Sequence, residues 1–242
     1  MGEIGPIIVT GGAQRLGLAI TKSLLTQNRP VVVTYRRPKP AVAELTALGA
    51  KCIQVDFTQP NSVSEFIDTI KQDFGSLRGV IHNASDWQSE SHCDDHSTLM
   101  QDMWSVHVAA PYQMNMAFAD LLEAGADLLG CPTDIIHMTD YVAERGSDKH
   151  IAYAASKAGL ANLALSFAKK LAPKVKVNAV APSLLMFNAQ DDENYRQNAL
   201  SKSLLQIEPG EQEGVAAVQY LLNSRYMTGR TLALDGGRHL AK

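Results

Sequence analysis

Short apolar runs alternate along this chain with longer stretches of helical period. The runs Ile7–Thr10, Val31–Tyr35, Cys52–Val55, Val80–His82, Asp134–Met138, Lys176–Val180 and Thr231–Leu234 read as strands. Between them, Leu16–Thr26, Ala41–Leu48, Ser62–Phe74, Thr98–Leu122, Tyr153–Leu171 and Glu211–Leu222 place apolar residues three and four apart and read as helices. Pro173 stands just beyond the fifth of these, where a helix stop is expected. Strands that are apolar throughout, each followed by a helix, imply βαβ units and a parallel sheet buried on both faces. The expectation is one doubly wound α/β domain over residues 1–242 with seven strands. The polar stretches Asp86–Ser97 and Ser183–Asn194 lack either period, and each follows a strand. Loops at the carboxyl ends of parallel strands are where such sheets bind ligands. The substrate loops are therefore set at about 86–97 and 183–205.

Composition changes this picture little. The 22 lysines and arginines against 25 acids leave a formal charge of −3, which offers no general attraction to nucleic acid or an anionic membrane. Three scattered cysteines, Cys52, Cys93 and Cys131, do not form a disulfide framework and suit a reducing compartment. The opening segment has no basic region and only a short apolar run, so it reads as a first strand rather than a signal peptide. No run approaches the roughly 18 apolar residues of a membrane span. A cytoplasmic location is expected.

Chemistry enters at the first turn. Thr10-Gly11-Gly12-Ala13-Gln14-Arg15-Leu16-Gly17 joins the first strand to a helix. Glycines let the backbone approach a pyrophosphate, and the helix start supplies free N–H donors. The second strand ends in Tyr35-Arg36-Arg37. An acid at this place would hold the ribose 2′-hydroxyl of NAD, whereas arginine accommodates the 2′-phosphate of NADP. Two arginines and no acid point to NADPH.

Tyr153 and Lys157 open the most regular helix, and residues four apart share a helical face. An ammonium beside the phenol would lower its pKa from about 10 and make it a usable general acid. The same lysine could hold a nicotinamide ribose.

With these residues in place, the chain resembles the short-chain dehydrogenase/reductases from end to end. The likeness rests on the Thr10–Gly17 turn, Asp56 after the third strand, Asn83-Ala84 after the fourth, Tyr153 with Lys157, Pro182 after the sixth, and Asp235-Gly236-Gly237 after the last. It implies a Rossmann-type sheet. It also implies cofactor contacts by Gly11, Arg15, Leu16, Tyr35, Arg36 and Arg37 at the phosphates and ribose, and by Asp56 and Phe57 at the adenine. Asn83, Ala84, Ser85, Tyr153, Lys157, Pro182, Ser183 and Leu184 complete that set. Four positions depart from the usual pattern. Arg15 replaces the middle glycine, Ser85 ends the usual Asn-Asn-Ala-Gly, and Asp140 stands 13 residues before the tyrosine where serine is customary. These three resemble the pteridine reductases, as does Ser85-Asp86-Trp87. The segments Thr139–His150 and Asp235–Leu240 are similar to bacterial members that act on dihydromonapterin. The fourth is His107, in place of an asparagine that holds a proton-relay water.

The resemblance implies hydride transfer from NADPH to the C=N bond of a 7,8-dihydropterin, with dihydrofolate a poorer substrate. Asp140, Tyr153 and Lys157 would be catalytic, and Arg15, Ser85, Trp87, Asp140 and Tyr153 would meet the pterin. A homotetramer built on the two long helices is implied as well. Two rivals stand beside this reading: a carbonyl reductase of the same family, against which Asp140 and Arg15 argue, and a non-catalytic NADPH-binding regulator, against which Tyr153 and Lys157 argue. The cluster His92-Cys93-Asp94-Asp95-His96 fits no common zinc spacing, and no metal site is expected. Met103, Trp104, Met114 and Met116 read as core or subunit contacts, and Cys52 as a buried, inert thiol.

Overall fold

The computed structural model describes residues 4–241. Seven parallel strands form one sheet in the order β3-β2-β1-β4-β5-β6-β7. They are β1 (Ile7–Val9), β2 (Val31–Tyr35), β3 (Lys51–Gln54), β4 (Gly79–His82), β5 (Thr133–Met138), β6 (Val175–Pro182) and β7 (Thr231–Leu234). All seven strands expected from the apolar runs are present, with ends shifted by at most two residues. The central strands β1, β4 and β5 are buried along their whole length, as a sheet covered on both faces requires.

Helices cover the two faces: α1 (Arg15–Thr26), α2 (Pro40–Ala47), α3 (Pro60–Asp73), α4 (His96–Trp104), α5 (Ala110–Ala117), α6 (Ala119–Leu129), α7 (Val142–Arg145), α8 (Ile151–Leu171), α9 (Glu193–Leu200) and α10 (Glu211–Asn223). One core layer packs Phe66, Phe118, Leu122 and Phe167 from α3, the α5–α6 region and α8 against Ile8, Val80, Ile135 and Val177. The other packs Ile20, Leu24, Val218 and Leu221 from α1 and α10 against Ile7, Val9, Ile81 and Val180.

The stretch Thr98–Leu122, expected as one helix, is three. A turn of π-helix over Ser105–Ala109 separates α4 from α5, and Phe118 leaves the helical geometry before α6. Pro111 and the wide turn share the break, since proline gives no N–H to an intrahelical bond. Met103 and Met114 lie in the core, while Trp104 and Met116 are exposed. The second substrate loop is not bare loop: it contains α9, capped by the Asp192 side chain on the Tyr195 N–H. Cys52 is half-buried rather than buried, its thiol 3.8 Å from the Val42 carbonyl. Among the described residues, no helix is long and apolar enough to cross a membrane.

Candidate active site

The carboxyl ends of β1, β2 and β4 open on a cavity of about 460 Å³. Gly11, Arg15, Leu16, Tyr35, Arg36 and Arg37 line it from one side, and Asp56, Phe57, Asn83, Ala84, Ser85 and Trp87 from the other. The first turn is built tightly. Gly11 has φ +63°, and a Cβ there would lie 2.9 Å from the Ala84 Cα. A Cβ on Gly17 would meet the Gly11 carbonyl oxygen at 2.4 Å and the Asn83 Nδ2 at 2.5 Å. Asn83 Nδ2 donates to the Thr10 and Gly11 carbonyls at 3.0 and 3.2 Å, tying β4 to the turn. No side chain caps the start of α1, whose first residues Arg15, Leu16 and Gly17 line the cavity.

Arg15 takes a left-handed backbone shape that favours glycine, with φ +48°. A non-glycine residue there costs on the order of 1 kcal/mol, and such strain concentrates at functional places. Its guanidinium donates to the Met186 carbonyl at 3.2 Å and to the Asn188 side chain. Arg15 therefore bridges the cavity to the loop after β6. Arg36 pairs with Asp86 at 2.6 Å, joining the end of β2 to the first substrate loop. Arg37 is exposed at the cavity edge.

The proton-handling groups stand together beyond β5. Asp140 Oδ1 accepts from the Val142 N–H at 2.9 Å, and Oδ2 from the Tyr153 hydroxyl at 2.8 Å. Lys157 is 2% exposed and donates to the Met138 carbonyl at 2.8 Å. Its Nζ lies 5.5 Å from the centre of the Tyr153 ring. The electrostatic balance differs from the one the helical spacing suggested. Burial and the Asp140 carboxylate push the Tyr153 phenol well above its ordinary value. Burial lowers Lys157 to about 8, against the pull of Asp140. A helix face brings the two groups near, but burial and then the carboxylate in direct contact set the direction of the phenol's shift.

Pro182, Ser183 and Leu184 close this side: the Pro182 carbonyl accepts from the Tyr141 N–H at 2.9 Å, and the Ser183 N–H donates to Leu234 at 3.0 Å. Trp87 is 62% exposed, its ring edge-on to His150 at 5.0 Å. The polar loop behind it serves the helices. Asp95 caps α4, His96 faces the Glu90 carbonyl, and Glu90 Oε1 accepts from the Ala152 N–H at 2.8 Å, holding the start of α8. Among the described residues, no group of three or more His, Cys, Asp or Glu could hold a metal ion. Sequence reading missed the pairings of Asn188, Asp86 and Glu90, because each acts through a partner 50 or more residues away. The closing Asp235-Gly236-Gly237 turn also anchors the second loop, with the Leu205 N–H on the Gly236 carbonyl at 3.1 Å.

A family model described as enoyl-(acyl carrier protein) reductase matches residues 11–239. The chain belongs to the short-chain dehydrogenase/reductase family. Two relatives sharpen the comparison within this family. A dihydromonapterin reductase of Klebsiella pneumoniae subsp. pneumoniae is 52% identical over 235 residues, covering 97% of both chains. A dihydromonapterin reductase of Escherichia coli O6:K15:H31 is 50% identical over the same span. Among solved structures, FolM alternative dihydrofolate reductase 1 from Brucella canis, complexed with NADP, superposes with a TM-score of 0.85 at 26% identity, covering 98% of this chain and 95% of that one. An apo SCOR enzyme from Clostridium thermocellum superposes with a TM-score of 0.86 at 20% identity and attests the fold.

Proposed function

We propose that this short-chain reductase uses NADPH to reduce the C=N bond of a 7,8-dihydropterin to the tetrahydro form, with dihydromonapterin preferred and dihydrofolate a poorer substrate. The observation that carries the reading is the carboxylate of Asp140 on the Tyr153 hydroxyl at 2.8 Å. Ordinary carbonyl reduction needs only a hydroxyl at that place. The similarity to dihydromonapterin reductases over 97% of the chain supports the same substrate class.

The residues present fit the cofactor. The Gly11 turn and the uncapped start of α1 would take the pyrophosphate, Arg37 the 2′-phosphate, and Asp56 and Phe57 the adenine. Lys157 and the Pro182–Leu184 segment would hold the nicotinamide half. Bound NADPH supplies the hydride.

The protein supplies the proton and the electrostatics. Tyr153, its pKa raised by burial and Asp140, keeps its proton at neutral pH and can give it to the pterin nitrogen. A proton that reaches the nitrogen ahead of the hydride makes the C=N bond a cationic iminium, and hydride addition then leaves a neutral amine. Asp140 stabilises positive charge on that nitrogen, which a serine could not do. Trp87 at the cavity mouth offers a flat face to the ring.

This reading extends to assembly and location. Met100, Trp104, Tyr112, Met116 and Leu165 are each 40–49% exposed on the α4, α5 and α8 surfaces, which supports a homotetramer formed through these helices. Three unpaired cysteines support a cytoplasmic location.

The test is NADPH oxidation with dihydromonapterin, dihydrofolate and a panel of sugar, acyl and diketone carbonyls. Turnover of dihydromonapterin above all carbonyls is expected. Faster reduction of a carbonyl would favour a carbonyl reductase, and NADPH binding without any turnover would favour a regulator.

A further inference from the structure

His107 lies inside the π turn and is fully buried. Its Nε2 is 2.9 Å from the Ser85 hydroxyl and its Nδ1 is 2.8 Å from the Ser156 hydroxyl. The directions of these bonds can be deduced. Ser156 gives its single proton to the Tyr153 carbonyl at 2.7 Å. It has none left for His107, so His107 Nδ1 must donate to it. Burial and the Lys157 charge keep His107 well below its ordinary pKa, and a neutral imidazole carries one N–H. Nε2 is therefore bare and accepts from Ser85. The only proton of Ser85 thus points into the protein, while Ser85 itself lines the cavity. The Tyr153 hydroxyl also stands beside Ser85 and is a second acceptor within its reach; the bare Nε2 at 2.9 Å has no other donor, and the Tyr153 proton is on Asp140.

Both ring nitrogens of His107 are occupied, and Lys157 donates to Met138. His107 has no free nitrogen with which to hold a relay water.

We propose that His107 is a positioning residue that fixes Ser85 as a hydrogen-bond acceptor toward the cavity, so that Ser85 selects a ligand N–H donor and disfavours a carbonyl or phosphate oxygen. The inference deepens the dihydropterin reading and rests on it for the identity of the donor. A pterin ring carries N–H groups, whereas the oxygen of a simple carbonyl substrate can only accept. Two facing acceptors leave a buried polar pair unmatched, which is the strongest kind of discrimination a pocket makes. The chain Ser85–His107–Ser156 also ends on the backbone of Tyr153, so the acceptor and the proton donor are held in one frame.

The test has two readouts. The first is independent of substrate. In ¹⁵N-histidine-labelled protein, long-range proton–nitrogen spectra should show His107 as the Nδ1–H tautomer through neutral pH; an Nε2–H tautomer overturns the proposal. The second compares His107→Phe with His107→Gln, whose amide carries both an acceptor and a donor. His107→Phe should raise the KM for dihydropterin about tenfold, the scale of one lost hydrogen bond, with the NADPH Kd from fluorescence titration within about twofold. His107→Gln should recover much of that loss. In a Ser85→Ala background, His107→Phe should add nothing further to KM. Equal losses in the Phe and Gln variants, or an undiminished effect in the Ser85→Ala background, would mean that His107 merely fills space. If the parent protein ignores dihydropterins, the substrate reading fails while the tautomer result still decides the role of His107.

Discussion

Strand β5 has an aspartate near each end, and the two are used in opposite ways. Asp134, at the amino end, is 1% exposed and accepts from Arg78 at 2.6 Å and Lys176 at 2.5 Å. Those cations also donate to the Leu222 and Leu221 carbonyls, the last turn of α10. Charges of both signs meet, and the helix terminus is satisfied as well. Asp140, just past the carboxyl end, is half-buried and binds one hydroxyl and one backbone N–H. The buried ammonium nearby, Lys157, is spent on a carbonyl instead of on that carboxylate. A cluster whose one carboxylate is held by two cations ties the sheet together. A cluster that keeps a carboxylate, a phenol and an ammonium close but not mutually neutralised can change its protonation during a reaction.

Exchanging residues at the two ends should separate these roles. Tyr153→Phe is expected to lower kcat by roughly 10²–10⁴-fold, and Asp140→Ser by a large factor with an altered pH–rate profile, both with NADPH affinity retained. Steady-state kinetics with dihydropterin would show this; an Asp140→Ser enzyme as fast as the parent would leave the carboxylate without a role. Asp134→Ala should do the reverse. It leaves two buried cations unpaired, and chemical denaturation should report a loss of about 3–5 kcal/mol while the surviving folded protein keeps its KM values. A more modest effect is expected at the end of β2. Arg37→Ala should raise the NADPH KM about tenfold to a hundredfold and leave NADH kinetics nearly unchanged, and equal effects on both cofactors would contradict the assignment.

Acid should act through buried histidines that belong to neither cluster. His82 donates to Asn115 at 2.7 Å, and Asn115 donates to His137 at 3.1 Å. Burial holds His82 down to about 4 and His137 well below the ordinary range. The unfolded chain takes up protons near pH 6.5, before the folded one does, so stability is present above that pH and falls as pH drops toward 4. His82 alone should account for about 2 kcal/mol between pH 6.5 and 5, seen as a falling urea midpoint. A midpoint that stays flat over this range would show that the histidines are hydrated. The smallest change is expected at the mouth of the cavity. Trp87→Ala should weaken pterin binding by about 0.5–1.5 kcal/mol and spare NADPH, as judged by parallel titrations. Loss of NADPH binding, or early melting, would assign the tryptophan to packing.

The sheet was legible because its signals are local. An apolar run such as Ile7-Ile8-Val9 or Ile135-Ile136 needs no partner to be read as a buried strand. The glycine turn and the Tyr153–Lys157 spacing are legible for the same reason. What the sequence conceals is pairing at a distance. Arg15 looks like a lost glycine until Met186 and Asn188 appear opposite it. Arg36 and Arg37 look equivalent until Asp86 takes the first. The raised pKa of Tyr153 follows from its burial and from a carboxylate 13 residues earlier in the chain, neither of which helical periodicity reveals. Helix interruption was hidden too, since apolar spacing continues smoothly through Ser105–Ala109.

That smooth spacing has a geometric consequence. Leu99 and Phe118 are both buried and lie 19 residues apart, a span that would leave them about 100° out of line on a regular helix. A π turn absorbs one residue without advancing the helix face, so the remaining interval makes about five whole turns and both side chains come onto buried faces, Leu99 against Met103 and Ala152 and Phe118 in the core layer under the sheet. The turn is a phase correction, and the residue at its centre is His107. Removing one residue between Leu99 and Phe118 would therefore rotate half of this surface away from the core as well as displace the histidine. A single-residue deletion there that melted like the parent would show that the alignment has another source. The register of a core stripe and the polarity of a pocket are settled by the same added residue.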